Sequence, residues 1–262
     1  MKKMLLAFAH PDDEAFFVSG TVAKYIELGW DVDLVTATSG EEGSSGPFDG
    51  ISGEKLGLIR QKELEESGKI LGLSTITLLG YRDSKLSDEN PGELEDKIYT
   101  KMVELIPDYV ITFDTTGITN HPDHVKMCYS TTFAFQKYAK WIRDQLTTHP
   151  EFTQESEPKL YYACLPASAT EYLISKKIIP PESFGKKRTG VPDKFVTTVI
   201  DIHSEQETKK KALLAHVSQQ EDIKRHLSLS SNPMLRDEYY IERYHGIHET
   251  FMGKGDRIAT EL

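Results

Sequence analysis

The chain has 262 residues, 38% hydrophobic and 27% charged, which excludes a disordered segment and leaves length for one large α/β domain with an enclosed site. A net charge of -10 excludes a nucleic-acid backbone as the main partner, since that contact requires a Lys/Arg-rich face. Only Cys128 and Cys164 occur, too few for a disulfide framework or a cysteine-based zinc site, and this usage fits a reducing cytoplasm.

Met4–Ala9 is continuously apolar, the pattern of a parallel strand covered on both faces. With Met1-Lys2-Lys3 ahead of it the run imitates a signal peptide, but it meets His10-Pro11-Asp12-Asp13-Glu14 too soon, and no stretch reaches membrane-spanning length. A helix is expected from about Pro11 to Leu28 and a strand over Asp31–Thr38. The Gly/Ser-rich loop Ser39–Gly53 then carries Glu41 and Glu42 and can move over a site. A helix over Glu54–Leu71, a strand over Thr75–Gly80, a helix over Gly92–Leu105 and a strand over Tyr109–Phe113 follow. Beyond them come a helix over Asp123–Arg143, strands over Lys159–Leu165 and Lys194–Ile202, and a helix over Glu205–Ser218.

This alternation predicts an α/β fold: a doubly wound, mostly parallel, Rossmann-like sheet with right-handed crossovers and helices on both faces. Ile178–Asp193 and Leu227–Leu262 are less regular and read as a lobe or rim packed on the sheet. Residues 1–262 form a single domain on this reading, with an α/β core over 1–222 and a packed extension over 223–262.

A dinucleotide-binding sheet needs glycines in the turn after its first strand, so that backbone amides can approach a pyrophosphate. Here the turn is His10-Pro11-Asp12-Asp13-Glu14, and three acids at a helix start favour a cation instead. Pro11 suits the first helical position and pushes His10 out of helical conformation. The spacing of three lets His10 and Asp13 share one ion while Asp12 points elsewhere. The same grammar recurs after the fourth strand in Asn120-His121-Pro122-Asp123-His124. In the strand order 3-2-1-4-5, strands one and four are neighbours, and ligands bind beyond their carboxyl ends. His10, Asp13 and His124 would then form a two-imidazole, one-carboxylate site open to water and substrate, suited to Zn2+ and also to Fe2+.

The bland alternative makes each cluster a polar helix cap, which is harder to sustain for two clusters at neighbouring strand ends. His245 and His248 have the same separation but no carboxylate, proline or preceding strand, and His149, His203 and His226 read as surface residues. Arg60, Asp83, Glu41 and His216 are candidates for substrate contact, against the alternative of surface ion pairs or a hydrogen-bonded helix histidine.

Ala9-His10-Pro11-Asp12-Asp13-Glu14 together with His121-Pro122-Asp123-His124 resembles the LmbE-like, or PIG-L, deacetylase family. Thr38–Gly43, Arg60 with Glu63, and Gly80–Asp83 are similar too, as is Ala215–Gln219 later in the chain; 140–193 and the tail beyond 225 show no match. The resemblance implies that His10, Asp13 and His124 hold the metal, Asp12 is the general base, His121 is an acid or oxyanion stabiliser, and Asp123 orients a histidine. It implies hydrolysis of an N-acetyl group on a small N-acetylglucosamine-type conjugate carried by inositol, malate, lipid or another sugar. Thr119 departs from the tyrosine that some members place two residues before His121. In the mechanism expected from these residues, Asp12 takes a proton from the attacking water and returns it to the leaving nitrogen, and a protonated His121 stabilises the oxyanion. Two rivals remain open, a non-catalytic sugar- or nucleotide-binding module and a metal-dependent phosphoesterase. A homo-oligomer is neither required nor excluded.

Overall fold

The computed structural model describes residues 1–148, 157–250 and 258–262. The apolar run at the N-terminus becomes β1 (Lys3–Phe8), with Met4 to Phe8 fully buried. It lies parallel between β2 (Asp31–Thr38) and β4 (Tyr109–Phe113). Outside these, β3 (Thr75–Tyr81) pairs with β2 and β5 (Lys159–Cys164) with β4, also parallel, so the expected order 3-2-1-4-5 is present.

Two short helices, α1 (Asp13–Phe17) and α2 (Ser19–Glu27), connect β1 to β2. The other crossovers are α3 (Gly53–Leu71), α4 (Glu93–Leu105) and α5 (Pro122–Thr148). After β5 come α6 (Ala167–Ser175), the two-residue strands β6 (Glu182–Ser183) and β7 (Lys186–Lys187), and β8 (Thr198–Asp201). The chain ends through α7 (Gln206–Ala215), α8 (Gln220–Leu227), β9 (Asp237–His245) and β10 (His248–Glu249). α2 and α3 pack on α7, and α4 packs on α5, so the sheet is covered by two helical layers.

The helix expected from Pro11 to Leu28 is broken at Val18. The break is stabilised from the far end of the chain: Glu238 on β9 accepts from the amides of Gly20 at 2.9 Å and Thr21 at 2.8 Å, donors that a new helix start leaves unsatisfied. Lys209 Nζ in turn donates to Glu238 at 2.6 Å and to the carbonyl of Phe16 at 2.9 Å. A Cβ at Gly20 would sit 2.5 Å from Ile202, so only glycine permits this approach.

The strand expected over Lys194–Ile202 shortens to β8, because Asp193–Phe195 after Pro192 makes a 3-10 turn. The helix expected to Ser218 stops at Ala215, where His216 leaves helical conformation. The C-terminal stretch expected to pack on the sheet supplies a strand of it: β9 runs antiparallel between β5 and β8, with β10 paired to its end. His149 lies outside the described residues.

Candidate metal and catalytic centre

At the end of β1 the backbone turns at Asp12, which adopts a left-handed conformation with φ 111°, and α1 begins at Asp13. The Asp13 carboxylate folds back under the turn and accepts from the amides of Ala9 at 3.2 Å and His10 at 2.7 Å. From β4, a loop through Gly117 delivers Pro122 to the start of α5, so His124 projects from its first turn. Gly117 has φ 66°, and a Cβ there would lie 2.6 Å from that of His124, so glycine is required for the loop to pass.

These two turns bring the side chains together. His124 Nδ1 faces the carbonyl of Gly117 at 3.0 Å and the hydroxyl of Thr119 at 3.1 Å. A proton on Nδ1 donates to that carbonyl and leaves the Nε2 lone pair free. His10 Nε2 lies 3.0 Å from Asp83 Oδ1 and 3.4 Å from Asp123 Oδ2, which places its proton on Nε2 and leaves Nδ1 free. The two free nitrogens, His10 Nδ1 and His124 Nε2, are 3.0 Å apart. Asp13 adds Oδ1 at 3.3 Å from His124 Nε2 and Oδ2 at 3.7 Å from His10 Nδ1.

Two nitrogens each ~2.0–2.1 Å from one ion at a tetrahedral angle are about 3.3 Å apart, close to what is present. Two lone pairs aimed at one another repel unless a cation lies between them, so a proton on His10 and a metal ion compete for the same gap. His10, His121 and His124 also bring donor atoms within 4.8 Å of one another, as do His10, Asp83 and Asp123. The latter carboxylates are already engaged: Asp83 accepts from the amide of Glu42 at 3.0 Å, and Asp123 from those of Ser84 at 2.7 Å and Leu86 at 3.2 Å. Their geometry supports the outer nitrogen of His10 and does not build a second ion site.

The electrostatics follow from burial among acids. Burial opposes charge on His10, but Asp123, Asp83 and Asp13 outweigh it and raise the imidazole to about 10. Burial pushes Asp13 up to about 8, and it lowers His124 together with the charge on His10. Burial and the His10 charge also lower His121, to about 4. Both causes favour the neutral ring of His121, where the sequence reading expects a protonated one, and a cation in place of the His10 proton pushes it the same way. Its Nδ1 accepts from the amide of Asp123 at 3.1 Å, so the ring proton resides on Nε2, a donor.

Asp12 stands apart from the ligands. Its Oδ2 lies 3.3 Å from Arg60 Nη2, with 17% of the side chain exposed, and burial raises its pKa against the opposing charges of Arg60 and His216. Arg60 is 3% exposed and also donates to the carbonyls of Gly40, at 2.8 Å, and Pro11. The guanidinium therefore holds Asp12 and its turn while it also borders the cleft. His216, fully buried, meets Glu14 at 2.8 Å; Glu14 also accepts from Ser67 at 2.6 Å and from the amide of Asp12 at 3.0 Å. Glu41 accepts from the amide of Asp83 at 2.9 Å, and it is Glu42 and Gly43 that face the cleft. Arg60, Asp83, Glu41 and His216, read as substrate contacts, thus bond to protein groups around the Asp12 turn and the His10 ring, and Arg60 and Asp83 also border the cleft.

Above these groups opens a cleft of about 480 Å³. The rim comes from the irregular segment 178–193, where Ile178, Ile179, Phe184 and Arg188 face the site and Phe184 packs edge-on to His121 with centroids 4.5 Å apart. Ser183 donates to the carbonyl of Thr119, tying this rim to the loop before α5. His226, expected on the surface, is half-buried and lines the cleft with its ring 5.0 Å from Phe16. His203 is exposed, and so are His245 and His248, which face each other across β9 and β10 away from any ligand cluster found among the described residues.

The profile of the PIG-L family, described as GlcNAc-PI de-N-acetylase, matches residues 5–135. A 1D-myo-inositol 2-acetamido-2-deoxy-alpha-D-glucopyranoside deacetylase of Rhodococcus erythropolis is 32% identical over 244 residues, covering 83% of this chain and 81% of that protein. The chain belongs to the PIG-L family. A second PIG-L relative, a probable N-acetyl-alpha-D-glucosaminyl L-malate deacetylase 2 of Bacillus anthracis, is 40% identical over 126 residues, 47% of this chain and 54% of that protein. Among solved structures, the N,N'-diacetylchitobiose deacetylase of Pyrococcus horikoshii is similar with a TM-score of 0.64 and 23% identity, covering 91% of this chain and 82% of that one. The 4-carboxy-2-hydroxymuconate hydratase GalB of Pseudomonas putida is similar with a TM-score of 0.65 and 16% identity, covering 96% and 100%. At these identities the likeness is one of fold, and the fold of the PIG-L chain is shared by a hydratase as well as by deacetylases.

Proposed function

We propose that this PIG-L protein is a metal-dependent hydrolase that removes the N-acetyl group from an N-acetylglucosamine-type conjugate. One observation carries the reading: the only free nitrogens of His10 and His124 converge to 3.0 Å beside the Asp13 carboxylate, a donor set that needs a cation. A divalent ion held by His10, Asp13 and His124 supplies Lewis acidity toward the acetyl carbonyl and lowers the pKa of water from about 15.7 toward about 7. Zn2+ fits two imidazoles and a carboxylate, and Fe2+ fits the same set.

The chain's own groups then divide the proton chemistry. Asp12, raised by burial against the opposing charge of Arg60, accepts the proton of the attacking water. The same carboxyl group returns it to the amide nitrogen, which cannot leave as an anion. His121, neutral, donates its Nε2 proton in a hydrogen bond to the carbonyl oxygen as negative charge gathers there. Asp83 and Asp123 hold the His10 ring, and Phe184 holds that of His121. The reading also takes the protein to be cytoplasmic, in keeping with two buried free thiols, and no helix among the described residues is long and apolar enough to cross a membrane.

The test is acetate release from the inositol and malate conjugates of N-acetylglucosamine, with and without chelator, followed by restoration with Zn2+ or Fe2+. Chelator-sensitive release supports the reading. Phosphate release from phosphoesters with no acetate release would turn it into a phosphoesterase, and a metal-free preparation inert in both assays would leave a binding module.

A further inference from the structure

Three arginines line the cleft, and they differ in what holds them. Arg60 pairs with Asp12 and donates to two carbonyls through its terminal nitrogens, its Nε lacking a partner as that of Arg188 does, and Arg225 Nη2 pairs with Asp222 at 2.9 Å. Arg188 is held by its backbone alone, its amide donating to the carbonyl of Pro181 at 2.9 Å. Its Nε is buried without a hydrogen-bond partner, and among the described residues its guanidinium makes no ion pair. Burial draws its pKa below that of an ordinary arginine, opposed at longer range by Asp222, which Arg225 already occupies. Arg188 lines the same cleft as Asp12, His121 and His124.

A partly desolvated guanidinium with idle donors is costly, and such a group in a native fold calls for a missing partner. The cleft supplies the place for one: Ile178, Ile179, Pro180, Phe184 and Met234 line it together with Arg188, and an ion pair shielded from bulk water is strengthened. The planar fork of arginine matches carboxylate and phosphate oxygens in pairs.

Resting on the deacetylase reading, we propose that Arg188 binds an anionic group on the substrate's aglycone, a carboxylate or a phosphate, while the acetamido group lies at Asp12 and His121. The preferred substrates are therefore acidic conjugates of N-acetylglucosamine, and a neutral polyol conjugate is a poorer one.

The test compares Arg188→Ala and Arg188→Lys with the unchanged protein on three probes: the neutral inositol conjugate, the L-malate conjugate and N-acetylglucosamine 1-phosphate. The two acidic probes separate carboxylate from phosphate as the preferred anion. Loss of a charge-assisted, paired hydrogen bond predicts that Arg188→Ala raises KM for the preferred acidic probe by about tenfold or more. KM for the inositol conjugate stays within about twofold, since that probe makes no such bond. Arg188→Lys recovers part of the loss, and melting temperature does not fall, because no partner is orphaned. Equal KM changes on acidic and neutral probes, or none on either acidic probe, would overturn the proposal. If no probe is deacetylated the hydrolase reading fails by itself, and calorimetric binding of the L-malate conjugate still decides the anion site: retained in Arg188→Ala or absent from the unchanged protein, it is refuted.

Discussion

Asp12→Asn separates the base from the ligands more cleanly than alanine does. Asp12 sits at φ 111°, a left-handed conformation that asparagine tolerates and alanine does not, so the substitution keeps the turn that presents His10 and Asp13. It removes the carboxylate to which the proposed mechanism assigns both proton transfers. General acid–base catalysis by one group is worth roughly 10²–10⁴ in rate. At 1.36 kcal/mol for each factor of ten, that raises the barrier by about 3–5 kcal/mol. The fold suffers less: Arg60 loses its charged partner at 3.3 Å but keeps the carbonyls of Gly40 and Pro11. One charge-assisted bond lost under those terms costs about 1–3 kcal/mol of stability. The assay is acetate release at saturating substrate alongside bound metal by elemental analysis. The expected result is kcat lower by roughly 10²–10⁴ at full metal occupancy. Unchanged kcat removes Asp12 as the base, and loss of metal would make it a ligand instead.

His124→Ala removes a nitrogen aimed into the gap, so metal content after dialysis falls together with activity; full retention contradicts ligation by His124. His216→Gln tests the buried pair with Glu14. Burial opposes charge on His216, but Glu14 raises it above its ordinary 6.5, so its stabilisation is complete below that pH and is lost as pH rises through the raised value. Glu14, which burial alone would raise, is lowered below 4.5 by His216, so its share is present above 4.5 and is lost as pH falls through the lowered value. Stabilisation by the pair is greatest between these two values, and the decline of melting temperature above them should flatten in the variant; an unchanged slope would place the titration elsewhere. Glu238→Gln leaves Lys209, 1% exposed at its side chain, without a counter-charge. Breaking one side of a buried pair costs about 3–5 kcal/mol. For a chain of this length the melting temperature drops on the order of 10 °C. Neutralising both with Lys209→Met and Glu238→Gln should restore part of that drop, and a milder single variant than double variant would refute the pairing.

Much of the architecture is legible because it is locally encoded. The apolar run Met4–Phe8 reads as a doubly covered strand, and the proline after His121 opens α5, whereas Pro11, expected at the first helical position, lies in the turn before α1. What escapes is set by partners far along the chain. The break at Val18 depends on Glu238, 218 positions beyond Gly20, and nothing near Val18 announces it. β9 carries too mixed a pattern to be read as a strand, with partly exposed Asp237, Tyr239, Glu242 and Arg243 between buried neighbours. Arg60 and His216 look like free polar side chains until Gly40, Pro11 and Glu14 fold around them. Phe184 and Arg188 lie in a segment whose local signals are turn residues, Pro180, Pro181, Gly185 with φ 71° and Gly190 with φ 65°, and a turn says nothing about which cavity it borders.

The division of labour within His10-Pro11-Asp12-Asp13-Glu14 explains why a shared fold does not fix the reaction. Five carboxylates, Asp12, Asp13, Glu14, Asp83 and Asp123, crowd two imidazoles in a space with little water. Arg60 balances Asp12 and His216 balances Glu14, which leaves Asp13, Asp83 and Asp123 around His10 with more negative charge than one imidazolium offsets. A divalent cation in the gap corrects that excess. At the left-handed turn Asp12 points to Arg60, which suits the proton-shuttling role proposed for it, while its neighbour Asp13 is pinned under the turn by two amides. On the proposed mechanism a different residue at that turn would leave the metal ligands in place and remove the base, while the strands serve to bring residue 10 and residue 124 to the same point.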